Sequence, residues 1–366
     1  MKLLYITNGI NGSGGLERVL SIKGSCLAEY YNYEVTILCL NDAHINPFYT
    51  FSEKIKMLSI PVSGNPLTYF LSYKKGIQKM VQQVDPDIIS VCDDGLKGFL
   101  IPKLIGSKIT IVYERHVSKE IEMNEGLSIF QKILIKSKWK LMEKLASNFS
   151  KFIVLTKGNT NEWKSIKNIE IIANPLSFYP EQSSTLQNKK VIAVGKQSYQ
   201  KGYDRLLQSW QLVNKRFPEW QLEIYGTIAP EFKLEQQAKE LNIDQAVFFF
   251  PPEKNIQSKY LDSSIYVMSS RYEGFGMVLI EAMACGVPCV SFDCNYGPSD
   301  IIENGVDGFI VANDDYYQLA NSLLKLISDK ELRIEMGTRA KDNVQRFLPV
   351  TIVQVWDNLF KKLVQC

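Results

Sequence analysis

Short apolar runs alternate with amphipathic segments through the first half of the chain, at the spacing of strands that are joined by helices. Parallel strands require connections of this length, because a tight turn cannot join them. The pattern therefore predicts an α/β fold with a parallel sheet and crossover helices. Its predicted strands are 2–7, 34–40, 56–60, 87–92, 108–113 and 151–155.

The same alternation begins again after a polar stretch that follows Asn174 and Pro175. That stretch, SFYPEQSSTLQNKK, has no strong period and ends at a new buried strand, so we place a boundary between domains 1–175 and 176–349. Two Rossmann-like domains in tandem, facing each other across a cleft, are therefore predicted. The later strands are predicted at 190–194, 221–225, 247–250, 265–268, 288–292 and 308–311, and the last helices at 316–327, 329–344 and 350–364.

Composition indicates globular domains and narrows the classes of function. The chain has 366 residues, of which 45% are hydrophobic and 22% charged, as in soluble proteins of two domains. A net charge of +3 gives no support to a nucleic-acid binder. Every apolar run is too short to span a bilayer, and the N-terminus, MKLLYITNGI, favours a first strand over a signal peptide.

The cysteines and histidines argue against disulfides and zinc. Seven cysteines occur without CxxC pairs, and an odd number cannot complete a disulfide framework, so a reducing cytoplasm fits best. His44 and His116 are the only histidines, so a zinc site built from His and Cys would lack its usual spacing.

The strongest candidate site is a glycine-containing loop between two acids, in the segment RYEGFGMVLIEAMACG. Small residues before a helix let backbone N–H groups approach an anion, while carboxylates accept hydrogen bonds from sugar hydroxyls. The pattern is therefore typical of a site for phosphate and a polyol. An ordinary strand-loop-helix with two exposed acids is the alternative. The residues concerned are Glu273, Gly274, Phe275, Gly276, Met277 and Glu281.

A second glycine-rich turn, NGINGSGGLE, follows the first predicted strand. Gly14 and Gly15 lie where a phosphate or sugar approaches the carboxyl edge of an open sheet. The spacing is not GxGxxG, and Asp42 lies beyond the end of the second strand at Leu40, so a nicotinamide dinucleotide is disfavoured. Tight packing alone is the alternative reason for these glycines.

Charged and titratable residues follow strands in both predicted domains. Arg115 and His116 follow Glu114 at the end of the fifth strand, and a histidine beside a carboxylate can orient a hydroxyl or share a proton. A merely structural hydrogen bond is the alternative for this histidine. In the second domain, Lys196 and Lys201 are placed to neutralise a diphosphate leaving group, unless they are ordinary surface lysines.

The segment 128–149 predicts a basic amphipathic helix, with apolar residues at helical spacing and lysines at most other positions. Such a helix can lie on an anionic membrane surface. A solvated helix whose apolar side packs on the core is the alternative. The apolar residues are Phe130, Ile133, Leu134, Leu141 and Leu145, and the lysines are Lys132, Lys136, Lys138, Lys140 and Lys144.

Taken together, these motifs resemble glycosyltransferase family 4, a group of retaining, nucleotide-sugar-dependent transferases with the two-Rossmann GT-B fold. The resemblance covers nearly the whole chain. Its most specific part is the E-x7-E spacing of Glu273 and Glu281, with GFG, EAMA and GVP around it. Further matches are Gly14-Gly15, Asn174-Pro175, Gly195-Lys196 and Lys201-Gly202.

The resemblance implies a role for each site residue. In the second domain, Glu281 is expected to bind the donor ribose and Glu273 the transferred sugar, while Lys196 and Lys201 contact the phosphates. The amides of the loop hold the sugar and diphosphate. In the first domain, the expected residues are His116 beside the donor sugar and acceptor, Gly14, Gly15 and Arg115 on the acceptor side, and a last helix, about 350–366, that returns to this domain.

The same resemblance implies a reaction without metal or other cofactor, and the sequence has no DxD motif at a strand end in the cleft. One departure concerns Lys196, where the family usually has arginine. Lysine keeps the charge but loses the bidentate geometry of a guanidinium group.

By this resemblance the enzyme moves a sugar from a nucleotide diphosphate donor to a glycan or lipid-linked acceptor. UDP is the commoner nucleotide in such donors. The expected setting is the synthesis of a bacterial surface polysaccharide, in the cytoplasm or on the inner face of the membrane. Two alternatives share the fold. One is a nucleotide-sugar epimerase, and the other is a non-catalytic partner protein.

Overall fold

The computed structural model describes residues 1–41, 47–106, 109–123 and 127–365. Within it, the chain divides into two compact units. The first comprises Met1–Ser177 and the C-terminal segment that starts at Pro349, and the second is Phe178–Leu348. These divisions fall within two residues of the boundaries that the sequence predicts.

The first unit is a seven-stranded parallel sheet with helices packed on it. Its elements are β1 (Lys2–Ile6), α1 (Gly15–Tyr30), β2 (Glu34–Leu40), β3 (Lys56–Ile60), α2 (Pro66–Val84), β4 (Ile88–Val91), α3 (Leu96–Phe99), α4 (Ile101–Ile105), β5 (Thr110–Glu114), α5 (Ile129–Ala146), β6 (Lys151–Val154) and β7 (Ile169–Ile171). The strand order is β3-β2-β1-β4-β5-β6-β7. The direction of winding reverses between β1 and β4, so their carboxyl ends form the edge at which such sheets bind ligands.

The second unit repeats this architecture with six parallel strands. Its elements are β8 (Lys190–Val194), α6 (Tyr203–Asn214), β9 (Gln221–Tyr225), α7 (Leu234–Glu240), β10 (Val247–Phe250), α8 (Ile256–Leu261), β11 (Ile265–Met268), α9 (Met277–Ala284), β12 (Cys289–Asp293), α10 (Pro298–Ile301), β13 (Gly308–Ala312), α11 (Tyr316–Ser328) and α12 (Lys330–Asn343). The strand order is β10-β9-β8-β11-β12-β13, and winding reverses between β8 and β11. The strands are almost continuously apolar because helices cover both faces.

The last helix, α13 (Pro349–Gln365), belongs to the first unit and packs on α1. It buries Trp356 and Phe360, and the Tyr33 hydroxyl donates a hydrogen bond to Asp357 Oδ1 over 2.9 Å. The expected return of this helix to the first domain is confirmed.

Every predicted strand is present, and the structure adds one. The additional strand is β7, which has three residues and is too short for a pattern of alternation to be read. Lys108, the predicted start of the fifth strand, lies outside the described residues, as do Asp42 and His44. Among the described residues, no helix combines the length and hydrophobicity that crossing a membrane requires.

Candidate active site

Lys201 and Glu273 of the second unit form an ion pair. Lys201 follows β8 and Glu273 follows β11, and these strands are neighbours in the sheet. The Lys201 ammonium donates to Glu273 Oε1 over 2.7 Å, and the Ser270 hydroxyl donates to the same oxygen over 2.6 Å. A buried carboxylate is thus held by a cation and a hydroxyl at the carboxyl edge of the sheet. The alternative of exposed acids in this loop is wrong.

Two glycines shape the loop between Glu273 and α9. Gly276 has φ of 98° and Gly297 has φ of 119°, conformations that other residues rarely adopt. A Cβ on Gly297 would lie 2.1 Å from the carbonyl oxygen of Phe275, so the backbone approaches this loop more closely than a side chain would allow. No side chain of the described residues caps the start of α9. Its first N–H groups, beginning at Met277, are therefore available to an anion.

Gly195 and Lys196 lie at the end of β8. A Cβ on Gly195 would lie 2.6 Å from Lys201 Cε, so the stem of Lys201 runs along the backbone at this point. The Tyr203 hydroxyl donates to the Gly195 carbonyl over 3.0 Å. Lys196 is exposed, and within the described ranges no carboxylate forms an ion pair with it. Lys201 is therefore held within the site, whereas Lys196 is open to an incoming anion.

Glu281 is completely buried within α9. The Tyr260 hydroxyl from α8 donates to its Oε2 over 3.4 Å. A ligand hydroxyl can reach this carboxylate only if the side chains that cover it move. The E-x7-E spacing identifies Glu281 but does not reveal its burial, because α9 is apolar on almost every side.

In the first unit, Glu114 at the end of β5 is buried and receives hydrogen bonds from three sides. The Lys23 ammonium of α1 donates to Oε2, and the Ser90 hydroxyl of β4 donates to Oε1 over 2.5 Å. His116 Nε2 lies 3.2 Å from Oε2. Burial favours a higher pKa, but the charge of Lys23 and the hydrogen bond from His116 outweigh burial and lower the pKa of Glu114 to about 2. Glu114 is therefore ionised at neutral pH.

Arg115 is buried beside this group. It donates to the Asp94 carbonyl over 2.9 Å, and its guanidinium lies 5.5 Å from the centre of the Trp163 ring. These contacts fix the chain immediately before His116. The Arg115 guanidinium itself therefore faces other groups of the protein, the Asp94 carbonyl and the Trp163 ring.

Gly14 and Gly15 are exposed at the start of α1. A Cβ on Gly14 would lie 2.6 Å from Glu17 Oε2, so the Glu17 carboxylate lies over the glycine-rich turn. That carboxylate sits at the positive end of the helix dipole. A phosphate at this turn would meet a carboxylate, whereas a sugar hydroxyl could donate to it. Glu17 was not singled out from the sequence. An acidic residue in the first turn of a helix, directly after several glycines, could have indicated that it lies over the turn.

Cys92, Glu114 and His116 approach the geometry of a metal site, since their donor atoms all lie within 4.8 Å of one another. Burial raises the pKa of the Cys92 thiol well above its usual range, and the charge of Glu114 raises it further. The thiolate that a metal requires is therefore disfavoured. Lys23 also donates to the same carboxylate, so an ammonium group already provides the positive charge. These residues do not fit a metal ion.

Helix α5 begins with a capping box, in which Ser128 and Gln131 each accept a hydrogen bond from the backbone of the other. Its first turns expose large apolar side chains, with Phe130 at 68% and Ile133 at 55%. Burial begins only at Met142. The alternative in which the apolar side of this helix packs on the core is therefore wrong for most of its length. The exposed apolar residues of α5 are Ile129, Phe130, Ile133, Leu134 and Leu141.

Comparisons with known proteins give a consistent result. Residues 179–343 match the family described as glycosyl transferases group 1. Over 98% of its length, the chain is 30% identical to the amylovoran biosynthesis glycosyltransferase AmsD of Erwinia amylovora, and it covers 99% of that protein.

Two solved structures share the fold. The lipopolysaccharide outer core galactosyltransferase WaaB, in its apo form, has a TM-score of 0.76 and 20% identity over 99% of this chain and 100% of that one. HepE of Anabaena in complex with UDP-glucose has a TM-score of 0.78 and 18% identity over 99% and 100%. The predicted fold class, two Rossmann-like domains of the GT-B type, is confirmed.

Gly297→Ala should reduce stability by roughly 2 kcal/mol or more, because it combines a positive φ with a contact that no Cβ can make. Gly305→Ala is the matched control, since Gly305 has φ of 81° and no atom within 4 Å of its added Cβ. The control should lose about 1 kcal/mol from backbone strain alone. Urea unfolding of both variants measures the difference. Equal losses would show that the loop tolerates the added methyl group.

Acid should remove the stability that Glu114 contributes. Its pKa in the folded protein, about 2, lies below the ordinary value of 4.5, so its contribution is complete above pH 4.5 and is lost as pH falls toward 2. Glu114→Gln does not titrate. The difference in free energy of unfolding between wild type and this variant should therefore be constant from pH 7 to about 5 and shrink below that. A constant difference down to pH 3 would contradict the assignment.

Proposed function

This chain belongs to the group 1 glycosyl transferases, and from that premise we propose a retaining enzyme of family 4 that transfers a hexose or N-acetylhexosamine from a nucleotide diphosphate sugar. Membership makes the protein a glycosyltransferase. The alternatives of an epimerase and of a non-catalytic partner protein are therefore wrong. The retaining outcome, the donor and the acceptor are the parts that we propose.

The observation that carries the proposal is the Lys201–Glu273 ion pair beside the uncapped start of α9. A diphosphate is a stronger partner for Lys201 than a carboxylate, because it has more charge and more acceptor oxygens. When Lys201 turns to the phosphates, Glu273 keeps the Ser270 hydroxyl and becomes free to accept hydrogen bonds from sugar hydroxyls. One exchange of partners would thus prepare both residues for the donor.

The proposed reaction stabilises the departing diphosphate. The acceptor hydroxyl attacks the anomeric carbon from the face that the leaving group vacates, and the bond between that carbon and the phosphate oxygen breaks. The electron pair goes to the phosphate, which also takes the proton of the acceptor hydroxyl. Lys201, the exposed Lys196 and the N–H groups at Met277 meet the developing negative charge. No metal or other cofactor takes part in this proposal.

The identity of both substrates follows from the relatives by analogy. HepE was solved with UDP-glucose and has the same fold, which supports UDP as the nucleotide. We assign the ribose hydroxyls to Glu281, whose covering side chains must move when the donor binds. WaaB and AmsD carry names of polysaccharide biosynthesis, which supports a glycan or lipid-linked acceptor of a surface polysaccharide.

Lys201→Met should lower kcat with the cognate UDP-sugar by about 100-fold, because it removes a fixed cation from the leaving group. The donor is found first by thermal-shift screening of nucleotide sugars, and turnover is then followed by UDP release. Lys239→Met, at an exposed position of α7, is the control and should keep full activity. A Lys201→Met enzyme as active as the parent would remove this lysine from the mechanism, and the absence of any stabilising UDP-sugar would contradict the choice of nucleotide.

We also propose that the enzyme works on the inner face of the cytoplasmic membrane and contacts it through α5. This helix combines exposed apolar side chains with four exposed lysines, Lys132, Lys136, Lys140 and Lys144. Lys138 differs, because its ammonium pairs with Glu122 over 2.5 Å. Apolar insertion and attraction to anionic headgroups act together on such a surface. A lipid-linked acceptor would be met there.

Replacing the four exposed lysines of α5 by glutamine should weaken binding to vesicles that contain anionic lipid, by about 1 kcal/mol for each lysine near the surface. The control replaces four exposed lysines of the second unit, Lys215, Lys233, Lys239 and Lys330. Both variants change the net charge equally, so co-sedimentation with vesicles reports the position of the charges. Equal binding by the two variants would contradict a specific role of α5.

A further inference from the structure

His116 ends a buried chain of polar groups that begins in α1. Lys23 is completely buried, with its ammonium 3.9 Å from the Trp356 ring centre and 5.1 Å from that of Tyr5. It donates to the same Glu114 oxygen, Oε2, that lies 3.2 Å from His116 Nε2. The series Lys23, Glu114, His116 therefore links α1, β5 and the loop that follows β5.

The ionisation of Glu114 determines which nitrogen of the neutral imidazole carries the proton. An ionised carboxylate can only accept hydrogen bonds, so the nitrogen that faces it, Nε2, must be the donor. The proton of neutral His116 is then on Nε2, and the lone pair is on Nδ1. Nδ1 is buried and has no hydrogen-bond partner among the described residues. It is a vacant acceptor in a side chain that is otherwise fixed.

Lys23 is what makes this arrangement stable. A carboxylate buried without a cation is strongly unfavourable, and here the cation is as buried as its partner. The rings of Trp356 and Tyr5 stabilise the ammonium in place of water. The other charged or titratable groups near His116 are Asp94, which influences His116 electrostatically, and its neighbours Arg115 and Cys92. None of them approaches Nε2 as closely as Glu114 does in the described structure.

We propose that Lys23 and Glu114 are positioning residues that hold His116 in the Nε2–H tautomer, so that Nδ1 accepts a hydrogen bond from a hydroxyl group of a sugar substrate. The role in catalysis rests on the proposed function, whereas the tautomer does not. Nδ1 can bind only a hydrogen-bond donor. A hydroxyl group can supply the proton, whereas an ionised phosphate oxygen or a carbonyl oxygen cannot. Because Nδ1 is buried, the groups that cover it must move before a sugar hydroxyl can reach it, as for Glu281.

The test measures the tautomer directly by ¹⁵N NMR of the imidazole ring. The chain has two histidines, so His44→Gln leaves His116 as the only signal. In this background the wild-type network should show one protonated nitrogen, Nε2. The double variant Lys23→Met, Glu114→Leu removes both charges together, which avoids a lone buried ion and preserves folding. It should shift both ring nitrogens toward the averaged values of mixed tautomers.

Glu114→Gln is the conservative control, and it is measured as a folded protein because it leaves the buried Lys23 ammonium without a carboxylate. Lys23 is a donor, so it should orient the amide oxygen toward itself and toward Nε2, and the Nε2–H tautomer should persist. A proton on Nδ1 in the wild-type network, or an unchanged spectrum in the folded double variant, would overturn the proposal. A mixture in Glu114→Gln would also contradict the role of Lys23.

Measurements of activity distinguish a failure of this proposal from a failure of the proposed function. In the double variant, kcat should fall roughly tenfold, which corresponds to the loss of about one hydrogen bond in the transition state. The affinity for the UDP-sugar should change little. Full activity with an altered tautomer would overturn the catalytic part of the positioning role. If no sugar donor supports turnover in the wild type, the proposed function fails, yet the NMR result still decides whether Lys23 and Glu114 fix His116.

Discussion

Parallel strands end on the same side of a sheet, and the central contacts of both candidate sites depend on that constraint. Lys201 and Glu273 meet because β8 and β11 are neighbours, although helices and other strands separate them along the chain. Ser90 and Glu114 meet in the same way through the pairing of β4 with β5. The sheet brings distant segments together, so side chains from neighbouring strands and from the loops that follow them can form a site near its carboxyl edge.

A second constraint concerns the buried carboxylates at the carboxyl edges of the two sheets. Glu273 is paired with Lys201 and Glu114 with Lys23, so each of these two carboxylates has a cation as its partner. The two pairs differ in what can follow. Lys201 remains partly accessible, as the proposed exchange of Glu273 for a diphosphate requires, whereas Lys23 is completely buried beside aromatic rings. The first pair therefore suits binding and the second suits positioning.

Much of this could be predicted from the sequence, and the limits have physical reasons. Periodicity gives the strands because burial on both faces leaves nearly continuous apolar runs, and the E-x7-E spacing marks Glu273 and Glu281. Lys23 could not be predicted, since a lysine in an amphipathic helix is normally at the surface. The burial of Glu281 was equally invisible, because a two-residue motif says nothing about what packs over it. Both depend on contacts between distant segments.

The exposed start of α5 is a further feature that sequence periodicity could not predict. Its periodicity predicted an amphipathic helix, but periodicity cannot tell whether the apolar stripe faces a core or faces outward. The structure inverts the usual arrangement twice, since Lys23 and Glu114 are buried while Phe130 and Ile133 are exposed. Each inversion costs free energy unless something compensates for it. For Lys23 the compensation is Glu114 within the same unit, so its role is internal. For Phe130 and Ile133 no described residue provides it, and this exposure is the reason that we propose a membrane surface as their partner.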